Sequence, residues 1–177
     1  MNFRTVTLFV AILLSLIIGV ACGSRAGSQN GASPTPSPAP TPMKVTTADL
    51  QKLRWIEGTW RGTGVDQAPF FERYRFENET TLAVDSFEDE KVTKVTDTGR
   101  FELKDGEFGG GSEGSRYAAT AIDDTSITFA PIVKARNFFV WKRESKDSWT
   151  AILSWPAANN KPAGERIYNM ERWPKTQ

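Results

Sequence analysis

From Phe70 to Trp173 one pattern recurs: apolar and polar residues alternate over a short run, and a turn cluster then interrupts. Phe70, Tyr74 and Phe76 alternate with Phe71, Arg73 and Arg75, and Leu82 and Val84 follow. Val95, Gly99, Phe101 and Leu103 share one side of the next run. Tyr117, Ala119 and Ala121, then Ile127 and Phe129, Phe139 and Trp141, and Trp149, Ala151, Leu153 and Trp155 repeat the pattern. The last run extends from Arg166 to Trp173. Turn residues stand between runs at Asp89-Glu90, Lys104-Asp105-Gly106, Asp123-Asp124, Ser145-Lys146-Asp147 and Asn159-Asn160. Successive strand side chains point to opposite faces, so each run reads as a half-buried strand. Many such strands joined by short turns predict an antiparallel barrel or sandwich. The strand–helix alternation of a parallel sheet is missing. One helix precedes the strands, in "TTADLQKLRWIEG". Thr46 or Thr47 can cap it, Asp49 stands in its first turn, Leu50, Leu53 and Ile56 form its apolar stripe, and Gly58 ends it.

The N-terminus has a different character. Met1 to Arg4 carry positive charge, and an apolar run from Val6 to Val20 leads to the small residues before Cys22. The run is too short for a membrane-spanning helix, which needs about 20 residues, and reads as an export signal. "IIGVACGS" resembles a bacterial lipoprotein signal, in which the cysteine becomes the lipidated first residue of the mature protein. Gly19 departs from the leucine usual at that position. An ordinary secretory signal with a chance cysteine, or an uncleaved anchor, is the alternative. Cys22 is the sole cysteine, so no disulfide is available to the folded part. The stretch "GSRAGSQNGASPTPSPAPTP" is rich in Gly, Ser, Ala and Pro and reads as a tether with a reach on the order of 50 Å. The expected division is a signal peptide over 1–21, a lipidated cysteine and tether over 22–45, and a folded domain over 46–177. The resemblance implies a cell-envelope location, on the outer membrane facing the periplasm in a Gram-negative host, because Gly23 is not the aspartate that commonly retains such proteins at the inner membrane.

Composition excludes several kinds of chemistry. The net charge is +1, with 22 basic and 21 acidic residues, so the overall balance favours neither nucleic acid nor an anionic membrane surface. The chain contains no histidine. That rules out Ser-His-Asp and Cys-His nucleophile systems, histidine zinc sites and an imidazole general base. A carboxylate-only mechanism would need two acids facing one cleft. The expectation is a non-catalytic protein without metal or cofactor.

"GTWRGTG", from Gly58 to Gly64, invites comparison with a phosphate-binding loop. Such a loop needs Lys followed by Ser or Thr after its last glycine, and here Val65-Asp66-Gln67 follow. The second glycine cluster, "EFGGGSEG", runs on into Ser115-Arg116-Tyr117 and reads as a wide turn or strand edge. A helical lead-in, Gly-x-Trp on the first strand and an arginine late in the last strand together resemble the lipocalin and fatty-acid-binding group of barrels. The resemblance implies that Trp60 closes one barrel end and that Arg172, in "MERW", or after it Arg166, packs across it. The longer "GTWRGTG" looks like the signature of nitrobindin-type heme barrels, and "LRWIEGTWRG" with a closing "ERIYNMERW" is similar to uncharacterised bacterial lipocalin-like domains. Nitrobindins hold heme through a late histidine. With no histidine here, that function does not carry over. The fold expected is therefore all-β, an antiparallel up-and-down lipocalin-like barrel with one short N-terminal helix.

A barrel of this kind works inside itself or at its mouth. Phe70, Glu72, Tyr74 and Phe76 share the face expected to point inward. Glu72 there needs a partner, and an arginine of the last strand, Arg166 or Arg172, is placed to supply it. Such a pair either sets the core or anchors the head group of an apolar ligand. The expected pocket gathers Glu72, Tyr74, Phe76, Tyr117, Trp141, Arg166 and Tyr168. Its expected occupant is a small apolar or amphipathic molecule, and the alternative is a barrel filled with side chains that only contacts an envelope partner.

Overall fold

The computed structural model describes residues 40–112, 114–158 and 162–174. The expected signal, Cys22, most of the tether and the Asn159-Asn160 turn lie outside the described residues. A short helix, α1 (Thr47–Gln51), and a single 3-10 turn, Arg54–Ile56, lead into the strands. The ten strands are β1 (Gly58–Gly64), β2 (Gln67–Phe76), β3 (Thr81–Phe87), β4 (Val95–Lys104), β5 (Glu107–Gly110), β6 (Arg116–Ile122), β7 (Ser126–Val133), β8 (Phe138–Arg143), β9 (Ser148–Trp155) and β10 (Gly164–Arg172). Each strand pairs antiparallel with its neighbour in sequence, and β1 pairs with β10, so the sheet closes into an up-and-down barrel. Closure removes the free edges that an open sheet would expose.

α1 is held at its start by reciprocal hydrogen bonds. The Asp49 N–H donates to Thr46 Oγ1 at 3.3 Å, and the Thr46 N–H donates to Asp49 Oδ2 at 3.0 Å. The helix is shorter than its sequence pattern, yet Leu50, Leu53 and Ile56 are all buried against the barrel end. The segment before it also lies on the barrel wall. The Met43 N–H donates to the Ala119 carbonyl at 2.9 Å and the Val45 N–H to the Gly106 carbonyl at 2.8 Å, so the last residues of the expected tether run between β5 and β6.

Two features of the strand pattern differ from the sequence reading. The β3–β4 register shifts between Ser86 and Phe87, which places Val95 in solvent rather than with Gly99, Phe101 and Leu103. A second shift, between Ala119 and Ala121 on β6, turns Ala121 outward. "EFGG" at the second glycine cluster is a strand, β5, whose Phe108 is fully buried. Gly109 allows that strand its close approach, because an added Cβ would stand 2.0 Å from the Tyr117 carbonyl oxygen.

The glycines of "GTWRGTG" have a spatial purpose. On β1 they leave Trp60 the one large side chain facing the interior, and three neighbouring side chains fold into the space. An added Cβ would lie 1.9 Å from Arg172 Nη1 at Gly58, 2.1 Å from Phe70 Cζ at Gly62 and 2.8 Å from Tyr168 Cδ1 at Gly64. The Phe70 and Tyr168 rings then meet edge to face across β1, 5.7 Å between centroids. Gly62→Ala is expected to force Phe70 off its seat and to destabilise the barrel by about 1–3 kcal/mol, read from the denaturant midpoint.

Candidate functional site

One end of the barrel is shut. Trp60 Nε1–H donates to the Ile56 carbonyl at 2.7 Å, which ties β1 to the 3-10 turn. Arg172, directly opposite Trp60 on β10, lays its guanidinium carbon 3.8 Å from the Trp60 ring centroid. Its Nη1 donates to the Glu57 carbonyl at 2.7 Å and its Nη2 to the Lys146 carbonyl at 3.3 Å. The guanidinium thus spans the strand seam, the helical lead-in and the β8–β9 turn.

From this closure a column of rings fills the interior. Trp60 meets Trp149 edge to face at 6.1 Å, Trp149 meets Tyr74 at 5.3 Å, and Tyr74 meets Trp141 at 5.6 Å. Trp141 continues to Phe101 at 5.0 Å, and Phe129 stacks on Phe139 at 4.5 Å. Each such pair adds about 0.5–1.5 kcal/mol beyond the area it buries.

Glu72 stands beside this column, fully buried between Trp60 on β1 and Ser86 on β3. No arginine among the described residues reaches it. The Tyr74 hydroxyl donates to Glu72 Oε2 at 2.8 Å, while Oε1 has no hydrogen-bond partner among the described residues. The arginine pairing expected from sequence fails for a geometric reason. Arg172 is committed to the Trp60 face and nearby carbonyls, and Arg166, only partly buried, directs Nη1 to the Tyr168 hydroxyl at 3.4 Å. Burial pushes the Glu72 carboxyl up to about 8, although the Tyr74 hydrogen bond favours the ionised form. Burial, with Glu72 adding to it, holds the Tyr74 hydroxyl well above its usual range.

The other end of the barrel holds a cavity of about 90 Å³. Its walls are rings and aliphatic groups: Phe70, Phe101, Tyr117, Phe139, Trp141 and Tyr168, with Val84, Ala151 and Leu153. Ser86, Asp97 and Ser112 bring polar side chains to its lining, whereas Arg100 turns its guanidinium outward to Glu77, 2.9 Å away. Gly99, Gly110 and Gly111 supply bare backbone. Gly99 is the informative one. An ideal Cβ built there meets nothing within 4 Å, so the missing side chain leaves open space. Burial raises the Tyr117 hydroxyl pKa to about 12, so this lining group stays protonated.

Of the residues expected in a pocket, Tyr117, Trp141 and Tyr168 line this cavity. Glu72, Tyr74, Phe76 and Arg166 are not part of its lining. Phe76, expected to face inward, is half-buried near the closed end, with the Arg54 guanidinium 4.2 Å above its ring. Phe70, Gly99, Phe139 and Ala151 belonged to inward periods in the sequence without being singled out. Asp97 and Ser86 lie next to the β3–β4 register shift, which the alternation of residue types does not reveal.

No family model matches the chain, and no curated protein does. Among solved structures, the barrel is similar to that of EF1p2_mFAP2b bound to DFHBI, at 9% identity and a TM-score of 0.33, over 68% of this chain and 96% of that one.

The buried acid gives a test of the site's electrostatics. Glu72 keeps its proton in the fold up to about 8, whereas unfolded it loses the proton near 4.5. Stability fully present below the unfolded value is lost as pH rises to the folded one, at up to about 1.4 kcal/mol per pH unit. Glu72→Gln, which can still accept the Tyr74 hydroxyl, is expected to flatten that decline and to be more stable than wild type at pH 8. Denaturant midpoints measured from pH 5 to pH 8 check this; parallel curves for the two proteins would refute it.

Proposed function

We propose that this protein is a lipid-anchored component of the cell envelope. Its barrel takes the apolar end of a small amphipathic ligand and acts by sequestration or transfer, without catalysis. The observation that supports this is the cavity held open at Gly99, in the middle of a strand where a side chain would fit. A strand-interior glycine costs roughly 0.5–1 kcal/mol relative to alanine, and filling apolar space normally stabilises a core. The barrel forgoes both contributions at a position that opens onto ring-lined space.

The size of the cavity narrows the ligand. At about 90 Å³ it is well below the roughly 300 Å³ of a pocket that swallows a drug-sized molecule. It is nearer the roughly 150 Å³ of an engineered apolar cavity that binds benzene. Such a space admits the end of an alkyl chain or a single small ring. The polar part of the ligand then remains near Ser86, Asp97 and Ser112.

The ring column, and a cavity of about 90 Å³ where a ligand pocket approaches roughly 300 Å³, favour a second reading, a barrel filled with side chains that serves only as an interaction module. One substitution separates the two. Gly99→Leu places an aliphatic side chain where the lining is open. A medium-chain fatty acid, kept below its aggregation concentration, is titrated while tryptophan fluorescence reports on Trp141. Wild type is expected to show a saturable change, and Gly99→Leu to weaken it by about tenfold or more with an unfolding midpoint no lower than wild type. A flat titration for wild type, or equal curves for both proteins, would favour the filled barrel.

A further inference from the structure

We propose that the cavity end of the barrel rests on an anionic lipid bilayer, so that the mouth faces the membrane to which the chain is tethered. This rests on the ligand-carrying, anchored reading above and adds a docking surface to it.

Among the described residues the large hydrophobics that stand exposed are Val65 at 78%, Val95 at 45%, Val133 at 42% and Ile167 at 43%. All four sit at the same end. Val65 lies in the β1–β2 turn, Val95 opens β4, Val133 closes β7, and Ile167 is in the first half of β10. In an up-and-down barrel each of those positions is at the end opposite α1, which is the end where Gly111, Ser112 and Asp97 line the cavity. Scattered exposed apolar residues are ordinary, whereas a ring of them at one opening marks an interaction surface.

Charge selects the side that makes contact. Beside Val65, Val133 and Ile167 stand Lys134, Arg136 and Arg166, with Asp66 and Glu165 the acids among them. The β3–β4 loop, with Glu88, Asp89 and Glu90 ahead of Lys91 and Lys94, folds back on the outer wall, where Trp173 Nε1–H donates to the Glu90 carbonyl at 2.8 Å. Basic residues flanking apolar ones suit the interface of an anionic bilayer, where apolar groups enter the headgroup region and cations remain at its surface. The barrel would then rest on the lip formed by β7, β10 and the β1–β2 turn, with the acidic loop held on the wall by Trp173.

The course of the chain agrees. Val45 is bonded to the β4–β5 turn at the closed end, and Met43 to Ala119 further along β6. Followed toward its start, the chain therefore climbs the wall toward the mouth.

Amide hydrogen exchange on the full chain tests the proposal, with and without vesicles of phosphatidylcholine and phosphatidylglycerol. Vesicles are expected to slow exchange at residues 64–67, 133–138 and 162–167 and to leave the turns at 104–107, 123–126 and 145–147 unchanged. Raised salt should reduce the effect. A Val65→Asp, Val133→Asp, Ile167→Asp variant, its fold confirmed by circular dichroism, should lose the protection while its fatty-acid titration in solution stays that of wild type. Protection at the closed end, no protection anywhere, or protection that persists in the variant would overturn the proposal. So would protection of the mouth that grows with protein concentration in the absence of vesicles, which would indicate a second copy of the chain. The titration is read without lipid, so loss of ligand binding and loss of docking are separate outcomes.

Discussion

The stack of Arg172 on Trp60 ties the two ends of the barrel's chain together. β1 and β10 are the first and last strands, and a barrel exists only if they meet. Trp60 and Arg172 face each other across that seam, and the guanidinium also reaches the carbonyls of Glu57 and Lys146. A planar, always-charged group that both stacks and donates in a fork suits this place better than a flexible ammonium. Because the seam is locked at the α1 end, that end is solid with rings, and the free space gathers at the other.

The division of the barrel into a filled half and an open half follows from where glycine stands. On β1, Gly58, Gly62 and Gly64 are each filled by a neighbour, Arg172, Phe70 and Tyr168 in turn. On β4, Gly99 is filled by nothing. The same residue type thus tightens one part of the wall and hollows another. Glu72 is an acid in the filled half, held largely neutral by burial and bonded to Tyr74, and it lies off the cavity lining. Its position makes it a determinant of how the core depends on pH rather than a group that touches a ligand.

Much of the fold was legible in the sequence because it rests on period-two alternation and turn chemistry, both local. The inward rings at Tyr74, Tyr117, Trp141, Trp149 and Tyr168 and the helix stripe of Leu50, Leu53 and Ile56 were readable for that reason. Val95 and Ala121 were misplaced because a bulge adds a residue to one strand without changing its composition. β5 was legible only as one of two readings, a strand edge or a wide turn, because "EFGG" has glycines where a strand normally shows side chains, and close backbone approach is a tertiary requirement. The expected Glu72–arginine pair failed because facing a common interior does not bring two long side chains together. Gly99 as a hole and the ring of Val65, Val133 and Ile167 at the mouth emerge only when strands distant in sequence are set side by side.

The central claim is that the space at the mouth end holds the apolar part of an amphipathic molecule. Native mass spectrometry of the protein purified from its own host, under conditions that preserve bound lipid-sized molecules, tests it most directly. The account predicts a discrete adduct of the mass of a single-chain amphiphile, present on wild type and absent from a chain with the cavity filled at Gly99. Repeated spectra of wild type with no adduct, or an adduct that survives filling of the cavity, would contradict it.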